Sequence, residues 1–449
     1  MTPQISIDEI VIFSTRMDIR DALRKAIQAL SQSKLSIFPV VDPDAAIEEI
    51  KKNDRSLLII DWEIGIGSIK KVLEEARKTF KINTRPILMI AKNTSPELMG
   101  ISYEYHVSKL HTGEISQQNI QGLLAWFSQE EDQNGPLRDV LSNVNKKRVE
   151  NDWEAATSLL ENLGEKLPNH PKVICELAEN RIFGEQWEQA LSILEPLENH
   201  DPPNLRALHL LGRCRMKIGN FEQAAESLQK ARLINPFNVD RLILLGNALL
   251  HTENIQEAKE AFDEAIEYEP GTSDAIKGKG TCLLLEGEIN EALSLLNDIN
   301  SMKELASVFN SSAILAMRRE DFQQGMDLYD TAVKVIQENQ HVKSRLYFNK
   351  GIGFRRWKKE ADAAACFMEA IKFDNKFQKA RKNYLFLAKK LGLDIPRDMS
   401  QEMPQAKHQN DLSNFDESIG LENALGGEAN EDLDIDLDDD MEDETLAFL

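Results

Sequence analysis

The chain has 449 residues, with 53 Lys and Arg against 75 Asp and Glu and a formal net charge of −22, so it is too long for one ordinary domain. This acidity argues against sequence-independent nucleic-acid binding, which needs a basic surface to displace phosphate counterions. No apolar run of membrane-spanning length is present and the first ten residues lack the basic start of a signal peptide, so we expect a cytoplasmic protein without a membrane partner.

The first 128 residues alternate β-branched runs with amphipathic stretches. We predict strands at 9–14, 35–41, 56–61, 87–91 and 105–108, and helices at 18–30, 44–52, 69–80, 97–101 and 117–127. Alternating strands and helices indicate a doubly wound α/β domain, with a five-stranded parallel sheet covered by helices on both faces. Ligands of such sheets bind at the carboxyl ends of the strands.

Two residues whose side chains could take part in a reaction lie near predicted strand ends. Asp61 ends the apolar run that starts at Leu57, and Lys109 follows Val107 and Ser108. With these runs the domain resembles the receiver domain of two-component signalling. The resemblance implies a bacterial phosphorelay protein in which Asp61 accepts a phosphoryl group with Lys109 beside it.

The chain departs from that family where the chemistry needs a metal ion. The family places an acidic pair after the first strand to bind a divalent cation, but Ser14 and Thr15 stand there, and Ala91 replaces the switch hydroxyl. We therefore expect a degenerate receiver without a cofactor, which needs Mg²⁺ only if Asp61 is phosphorylated. The other interpretation of Asp61 is a solvated acid at a strand end, near Lys109.

A 34-residue period dominates the middle of the chain. It includes five alanines and four prolines, namely Ala156, Ala190, Ala224, Ala258, Ala292, Pro168, Pro202, Pro236 and Pro270. The period predicts stacked helical hairpins, with small residues where helices cross closely and proline where the second helix stops. It resembles the tetratricopeptide repeat (TPR) family, an all-α solenoid that binds other molecules along its surface.

The period predicts seven repeat units after a linker at 129–136. The units are 137–170, 171–204, 205–238, 239–272, 273–305, 306–343 and 344–377, and a capping helix follows at 378–392. The register is looser in the last two units, where Gly325 and Ala363 take the alanine position.

The final segment, 393–449, holds 18 Asp and Glu against Arg397 and Lys407, a net charge of −16. Such a composition predicts a disordered acidic tail. Near its end, Leu433, Ile435 and Leu437 alternate with aspartates. One interpretation is that the tail docks into the chain's own repeats as an autoinhibitor, and the other is a solubilising segment or a motif read by another protein.

In the TPR family the first helix of each hairpin lines a concave groove. The resemblance assigns to this groove a short basic strip of six residues: Arg206, His209, Arg213, Lys217, Asn247 and His251. Such a strip predicts binding of acidic or C-terminal peptide segments through charge-assisted hydrogen bonds. The alternative is an ordinary solvated helix face.

Sequence patterns of a catalytic or metal site are missing. The four cysteines have no CxxC spacing, the eight histidines have no metal-ligand spacing, and no nucleophile and base pair is evident. We therefore predict a non-enzymatic signalling adaptor or scaffold, which binds protein partners through its repeats and uses the pseudo-receiver for regulation or docking. The alternative is a phosphorylation-controlled response regulator that uses Asp61, with the repeats as output.

Overall fold

The structure is a computed structural model, and it describes residues 9–30, 36–53, 56–78, 86–105, 107–200, 203–297, 301–336 and 339–396. The chain divides into two compact units. Unit 1 comprises Met1–Arg215 with Glu226–Asn238, and unit 2 comprises Met216–Ala225 with Val239–Leu449. Nearly all of the segment predicted to be a disordered tail, from residue 397 onward, lies outside the described residues.

Unit 1 begins with five parallel strands in the order β2-β1-β3-β4-β5. They are β1 Glu9–Phe13, β2 Ser36–Val40, β3 Leu57–Asp61, β4 Ile87–Ala91 and β5 Lys109–Thr112. Every residue of β3 and β4 is buried, as continuous apolar strands require in a sheet covered on both faces. The first four strands lie within one residue of their predicted ends.

Helices cover both faces of this sheet. They are α1 Met17–Leu30, α2 Pro43–Lys52, α3 Ile66–Lys78, α4 Pro96–Glu104 and α5 Gln117–Val149. On one face, Ile59 of β3 packs in a core with Leu23 of α1 and Ile120 of α5. On the other face, Ile60 packs in a core with Leu73 of α3. Because side chains alternate along β3, this strand contributes residues to two separate cores.

The prediction of a fifth strand at 105–108 is wrong, because β5 begins only at Lys109. Helix α4 extends to Glu104, and the N–H groups of Tyr105 and Val107 donate back to its carbonyls at 3.0 and 2.8 Å. Tyr105 and Val107 have strand-forming side chains, but their backbone completes the end of a helix.

The prediction of a linker at 129–136 is also wrong, because α5 is helical throughout. Its first part packs into the sheet core through Leu123. Its last turns pack against the next helix, α6 Trp153–Lys166, through Leu141. At 1.5 Å per residue this helix is about 50 Å long. It is at once the last helix of the α/β domain, which comprises β1–β5 and α1–α5, and the first helix of the first hairpin.

The remaining helices that contribute to unit 1 are α7 Pro171–Phe183, α8 Trp187–Leu194, α9 Leu205–Ile218 and α10 Phe221–Ile234. The periodic residues Ala156 and Ala190 are fully buried where helices cross. A Cβ added to Gly212 would lie 2.6 Å from Leu228. The periodic small residues are therefore required by close helix packing, as their spacing predicts.

Unit 2 continues the hairpins. Its helices are α11 Val239–His251, α12 Ile255–Tyr268, α13 Ser273–Glu286, α14 Ile289–Leu296, α15 Met302–Arg318, α16 Phe322–Val335, α17 Gln340–Arg356, α18 Glu360–Phe373 and α19 Gln378–Leu391. The buried ring of Phe262 lies against two glycines, Gly246 and Gly278, where a Cβ would overlap it. Gly278 is thus a packing residue.

The turn between the two helices of each repeat has one residue in the left-handed conformation, with φ between 56° and 87°. These residues are Asn151, Glu185, Gly219, Glu253, Gly287, Glu320 and Lys358. Five of them are not glycine, although that conformation costs an L-residue roughly 1–2 kcal/mol. All seven turns therefore have a left-handed residue at this place, whichever amino acid occupies it.

The boundaries predicted at 306 and 344 for the sixth and seventh units fall inside helices and are wrong. Helices α15 and α17 begin at Met302 and Gln340, and each has 17 residues, against 13 in α11. Ser301 and Asn339 cap them by accepting a backbone N–H of the first turn at 3.4 and 3.0 Å. The extra first turn precedes the repeating pattern, so the 34-residue period does not reveal it.

Helix α19 lies in the predicted capping range. Ala380, Tyr384 and Leu387 are buried in a core with residues of α18, while Lys382 and Lys389 are exposed. This amphipathic helix covers the apolar face that the last hairpin would otherwise expose.

Candidate functional site

The sheet order places a crevice between β1 and β3. The chain passes from β1 to β2 on one side and returns to β3 on the other, so the carboxyl ends of β1 and β3 adjoin the point where the winding reverses. Ligands of doubly wound sheets bind at this position. Asp61 ends β3, and Ser14 follows the last residue of β1, so both lie there.

The Asp61 side chain is fully buried and all of its acceptor capacity is used. Oδ2 accepts from Ser14 Oγ at 2.6 Å and from Arg16 Nε at 2.8 Å. Oδ1 accepts from Arg16 Nη2 at 2.7 Å and from the backbone N–H of Glu63 at 3.2 Å. A carboxylate has about four lone-pair positions. A metal ion or phosphoryl group can therefore approach Asp61 only if one of these donors leaves.

Arg16 is the counter-ion of Asp61, and the loop that follows β1 fixes its position. The Arg16 backbone N–H donates to Ser14 Oγ at 3.1 Å, and Arg20 Nη1 donates to the Ser14 carbonyl at 2.6 Å. The hydrogen bond to Asp61 raises the pKa of Arg16, so the guanidinium remains charged. The interpretation of Asp61 as a solvated acid is wrong, since the carboxylate is buried in a bidentate ion pair.

Lys109 lies elsewhere along the sheet. Across the sheet, Asp61 of β3 pairs with Ile90 of β4, and Ile90 pairs with His111 of β5. Lys109 is the first residue of β5 and lies two positions before His111. The Lys109 ammonium lies 5.4 Å from the ring centroid of Trp126 in α5. The Lys109 side chain is thus placed against Trp126, and the cation that contacts Asp61 comes from Arg16. The phospho-acceptor role of Asp61 with Lys109 stays a prediction.

The sequence contains a signal for Arg16 that the motif comparison missed. A buried carboxylate needs a compensating charge, and the loss of the acidic pair removes the metal ion that would provide it. Arg16 is the first basic residue after β1. Charge balance therefore favours it as the replacement cation.

The α/β domain also contacts the repeats within unit 1. Asn235, between α10 and α11, donates from Nδ2 to the Gly100 carbonyl and to Glu104 Oε2, both at 3.1 Å, and is 2 % exposed. A Cβ on Gly100 would lie 2.5 Å from Asn235 Oδ1 and 2.8 Å from Phe237. Helix α4 is therefore fitted closely to the turn that ends the third repeat.

Arg206, the first residue of the predicted basic strip, is engaged in an internal ion-pair network. Arg206 Nη1 lies 2.6 Å from Glu176 Oε1 and its Nη2 pairs with Glu179. Arg148 Nη1 approaches the other oxygen of Glu176 at 2.9 Å. Glu176 is fully buried; burial alone would raise its pKa, but Arg206 and Arg148 outweigh burial and lower it. The network joins the first helices of the first three repeats.

The other five residues of the predicted strip differ in exposure. His209, Arg213 and Asn247 are half-buried and Lys217 is exposed. Arg206, His209 and Arg213 belong to unit 1, whereas Lys217, Asn247 and His251 belong to unit 2. Binding of peptides by these residues stays a prediction, and Arg206 contributes to it only if it leaves its two glutamates.

His251 is half-buried against other side chains of unit 2 and does not supply positive charge. Its ring stacks on Phe221 with centroids 4.0 Å apart, and Arg318 Nη1 lies 2.9 Å from its Nδ1. Burial and the Arg318 charge lower the pKa of His251 to about 4. At neutral pH the imidazole is therefore uncharged, with Nδ1 as acceptor and the proton on Nε2.

Aromatic pairs recur at one place in the hairpin stack. Trp153 and Phe183 stack in unit 1 at 5.1 Å, and in unit 2 Phe322 stacks on Trp357 at 5.8 Å. In each pair, as in the Phe221 and His251 pair, one ring begins the second helix of a repeat. The other ring lies at the end of the first helix of the next repeat, or directly after it in the case of Trp357. Within each unit, these rings connect adjacent repeats.

Within the described ranges, no three His, Cys, Asp or Glu side chains are grouped to hold a metal ion. No helix in the described part of the chain is long and apolar enough to cross a bilayer. The four cysteines are free and buried, and burial raises the pKa of Cys175 to about 12, so its thiol stays protonated.

Comparison with solved structures gives neighbours of low identity. MamA shares 22 % identity over 34 % of this chain and 90 % of that chain, with a TM-score of 0.33. A tetratricopeptide repeat protein from Parabacteroides merdae shares 17 % sequence identity over 56 % of this chain and 97 % of that chain, with a TM-score of 0.38. YrrB, a TPR protein with an unusual peptide-binding site, shares 18 % sequence identity over 51 % of this chain and 97 % of that chain, with a TM-score of 0.30.

None of the curated proteins matches this chain. Two family profiles described as tetratricopeptide repeat match it, one at residues 184–248 and the other at residues 243–300. These matches cover the helices from α8 to α14 and include the alanines at 190, 224, 258 and 292. The chain therefore contains tetratricopeptide repeats.

Proposed function

We propose that this chain is a non-enzymatic signalling adaptor, which binds protein or peptide partners through its repeats and contains a receiver-like domain that Arg16 holds in one state. The observation behind the proposal is the Asp61 carboxylate, whose oxygens are fully occupied by Arg16, Ser14 and the Glu63 N–H. The repeats provide a binding surface, and the α/β domain provides a fixed module next to it.

The receiver-like assignment is supported by topology and by the position of Asp61. The strand order β2-β1-β3-β4-β5 occurs in flavodoxin-like folds, and Asp61 ends the third strand at the winding reversal. Against a working receiver stand Ser14 and Ala91, at the positions where the family has an acidic residue and a hydroxyl. Topology thus favours the resemblance, while the site chemistry favours a domain that has lost phosphorylation.

The residues around Asp61 do not fit a magnesium ion. Mg²⁺ requires several oxygen ligands at about 2.1 Å in octahedral geometry, whereas Asp61 faces a guanidinium and a hydroxyl that donates to it. A cation there would meet the positive charge of Arg16. We therefore infer that the pseudo-receiver needs no metal cofactor.

The repeats support the binding part of the proposal. Stacked helical hairpins expose a continuous surface and lack the enclosed pocket that a small substrate needs. YrrB, one of the structures to which the repeats are similar, is a TPR protein with an unusual peptide-binding site. By this analogy the partners of this chain are proteins or peptides, with acidic segments favoured where uncompensated arginines line the repeats.

The competing function is a response regulator in which Arg16 leaves Asp61 during phosphorylation. Incubation of the full chain with acetyl phosphate and Mg²⁺, followed by intact-mass measurement, separates the two. We expect no gain of a phosphoryl group in the wild type. The matched variants are Asp61→Asn, which removes the acceptor, and Arg16→Gln, which frees it. A phosphoryl gain in the wild type that Asp61→Asn abolishes would establish the response regulator instead.

A further inference from the structure

Unit 2 has a cluster that we call the basic–aromatic edge, formed by Arg318, Arg356, Phe322, Phe354 and Trp357. Arg318 ends α15 and Arg356 ends α17. The Trp357 ring stacks on Phe322 at 5.8 Å and on Phe354 at 6.1 Å. Arg318 is exposed and the other four side chains are half-buried, so each keeps some accessible surface. The Lys359 ammonium lies 3.1 Å from the centroid of the Trp357 ring and adds a further positive charge to the cluster.

The two arginines of this edge are uncompensated. Within the described part of the chain, no ion pair includes Arg318 or Arg356. Among the described residues, the side-chain hydrogen bond of Arg318 goes to His251, which is neutral. Although exposed, Arg318 is surrounded by enough protein to lose hydration, and this desolvation and the nearby Arg356 charge lower its pKa. Among the described residues, the two guanidinium groups thus have no carboxylate partner, although Glu320 and Asp321 stand nearby in the sequence.

A structural role explains only part of this arrangement. An arginine in the last turn of a helix is favourable because it faces the negative end of the helix dipole. That effect accounts for each arginine separately. It does not explain why the two guanidinium groups are close enough for one charge to affect the other. Nor does it explain why they lie beside half-buried aromatic rings and a neutral histidine.

We propose that the basic–aromatic edge binds the acidic segment 431–449 of the same chain. This segment has ten Asp and Glu among nineteen residues and no Lys or Arg, whereas residues 1–392 together carry only −6. Leu433, Ile435 and Leu437 alternate with aspartates. In an extended backbone, successive side chains point to opposite sides. One side can then pack on the rings while the aspartates meet Arg318 and Arg356.

The length of chain before this segment favours intramolecular binding. The described chain ends at residue 396, after α19, and 34 residues separate it from residue 431. The composition of these residues predicts disorder, and for a disordered chain of that length we expect a root-mean-square span of about 30 Å. Tethering at this scale gives effective concentrations on the order of millimolar, so modest affinity suffices. A free acidic peptide from a partner would have to displace the segment.

The test is carbodiimide cross-linking of the full chain, which joins lysines to carboxylates in contact, followed by peptide mass spectrometry. Lys358 and Lys359 adjoin Trp357 and report on the edge. We expect links from them to carboxylates of 431–449, independent of protein concentration. The yield should fall about tenfold in Arg318→Glu with Arg356→Glu, which corresponds to about 1.4 kcal/mol.

The matched control is Lys382→Glu with Lys389→Glu, which makes the same charge change on exposed residues of α19. The control should keep the cross-links if the edge is specific. A second test leaves the folded part untouched: Asn in place of Asp434, Asp436, Asp438 and Asp439 should also remove the links. Absence of links in the wild type, or equal loss in the edge and control variants, would overturn the proposal.

This inference rests on the proposed function only for its regulatory meaning, namely that the segment competes with partners for the repeats. Cross-linking measures docking without any partner. A chain that docks its segment but gains no phosphoryl group supports both proposals. A chain that docks it and is phosphorylated on Asp61 removes the adaptor proposal alone.

Discussion

Arg16 donates two hydrogen bonds to the carboxylate of Asp61, from Nε to Oδ2 at 2.8 Å and from Nη2 to Oδ1 at 2.7 Å. The two residues are 45 positions apart in sequence and meet because β1 and β3 are neighbours in the sheet. The carboxylate is fully buried, so it depends on this cation for compensation. The pair therefore has a structural consequence that can be measured separately from any signalling role.

Arg16→Gln should destabilise the α/β domain by about 3 kcal/mol, because it leaves a buried carboxylate without its counter-ion. Urea unfolding followed by hydrogen exchange in β3 measures the effect. Lys52→Gln is the control, since its ion pair with Glu49 is exposed and should contribute less than about 1 kcal/mol. Arg16→Gln combined with Asp61→Asn should recover most of the loss. Equal stability of Arg16→Gln and wild type would contradict the ion-pair interpretation.

Glu176→Ala should cost about 4 kcal/mol, because Arg148 and Arg206 would both lose their shared partner. Glu161→Ala is the matched control on α6, since its pair with Arg181 is half exposed and such pairs contribute at most about 1 kcal/mol. Urea unfolding monitored by helical circular dichroism compares the two. A loss no larger than that of the control would show that the network does not stabilise the first repeats.

The network also predicts an acid dependence. The pKa of Glu176 is lowered in the folded chain, so its contribution to stability is complete above the unfolded value of about 4.3 and is lost as the pH falls through the lower folded value. Stability measured from pH 6 to pH 3 should fall less steeply in Glu176→Gln than in the wild type. Parallel curves would contradict the lowered pKa.

His251 predicts a separate pH effect. Its folded pKa of about 4 is below the unfolded value of about 6.5, so the unfolded chain takes up the proton first as the pH falls. Its contribution is complete above pH 6.5 and is lost between there and pH 4, by at most about 3 kcal/mol. His251→Gln keeps an acceptor for Arg318 and should remove this pH dependence from unfolding curves. An unchanged slope in that variant would place the titration elsewhere.

Gly100→Ala tests the contact between α4 and the third repeat. Alanine favours a helix by about 1 kcal/mol over glycine, but here its Cβ would meet Asn235 and Phe237. We therefore expect destabilisation and faster hydrogen exchange in α4. Gly122→Ala in α5 is the matched control, because no atom lies within 4 Å of its added Cβ, and it should stabilise the chain. Stabilisation by both variants would show that the contact is loose.

Local pattern was sufficient to predict the strands before β5 and the helical hairpins. The runs at Leu57–Asp61 and Ile87–Ala91 are apolar throughout because both faces of the sheet are covered. The 34-residue alanines mark helix crossings, and this requirement repeats with each hairpin. Both are properties of a segment and its immediate neighbours, so they can be read from the sequence.

The remaining features depend on residues far apart in the chain. The contact of Gly100 with Asn235 spans 135 positions, and the cation of Asp61 comes from another strand's loop. A linker is predicted at 129–136 because the α/β pattern ends before it and the 34-residue repeats begin after it. The helical segments on both sides are packed in place, and the backbone between them continues as one helix. Tertiary packing overrides local propensity in this segment.

Because α5 is one helix with anchored ends, its length sets the angle between the sheet and the first hairpin of unit 1. One inserted residue in 129–136 would rotate one end by about 100° and move it by about 1.5 Å, whereas seven residues, nearly two turns, would almost restore the angle. The Gly100 and Asn235 contact can form at only one such angle. Natural variation in the length of this segment should therefore come in steps close to whole turns, and single-residue changes should be rejected.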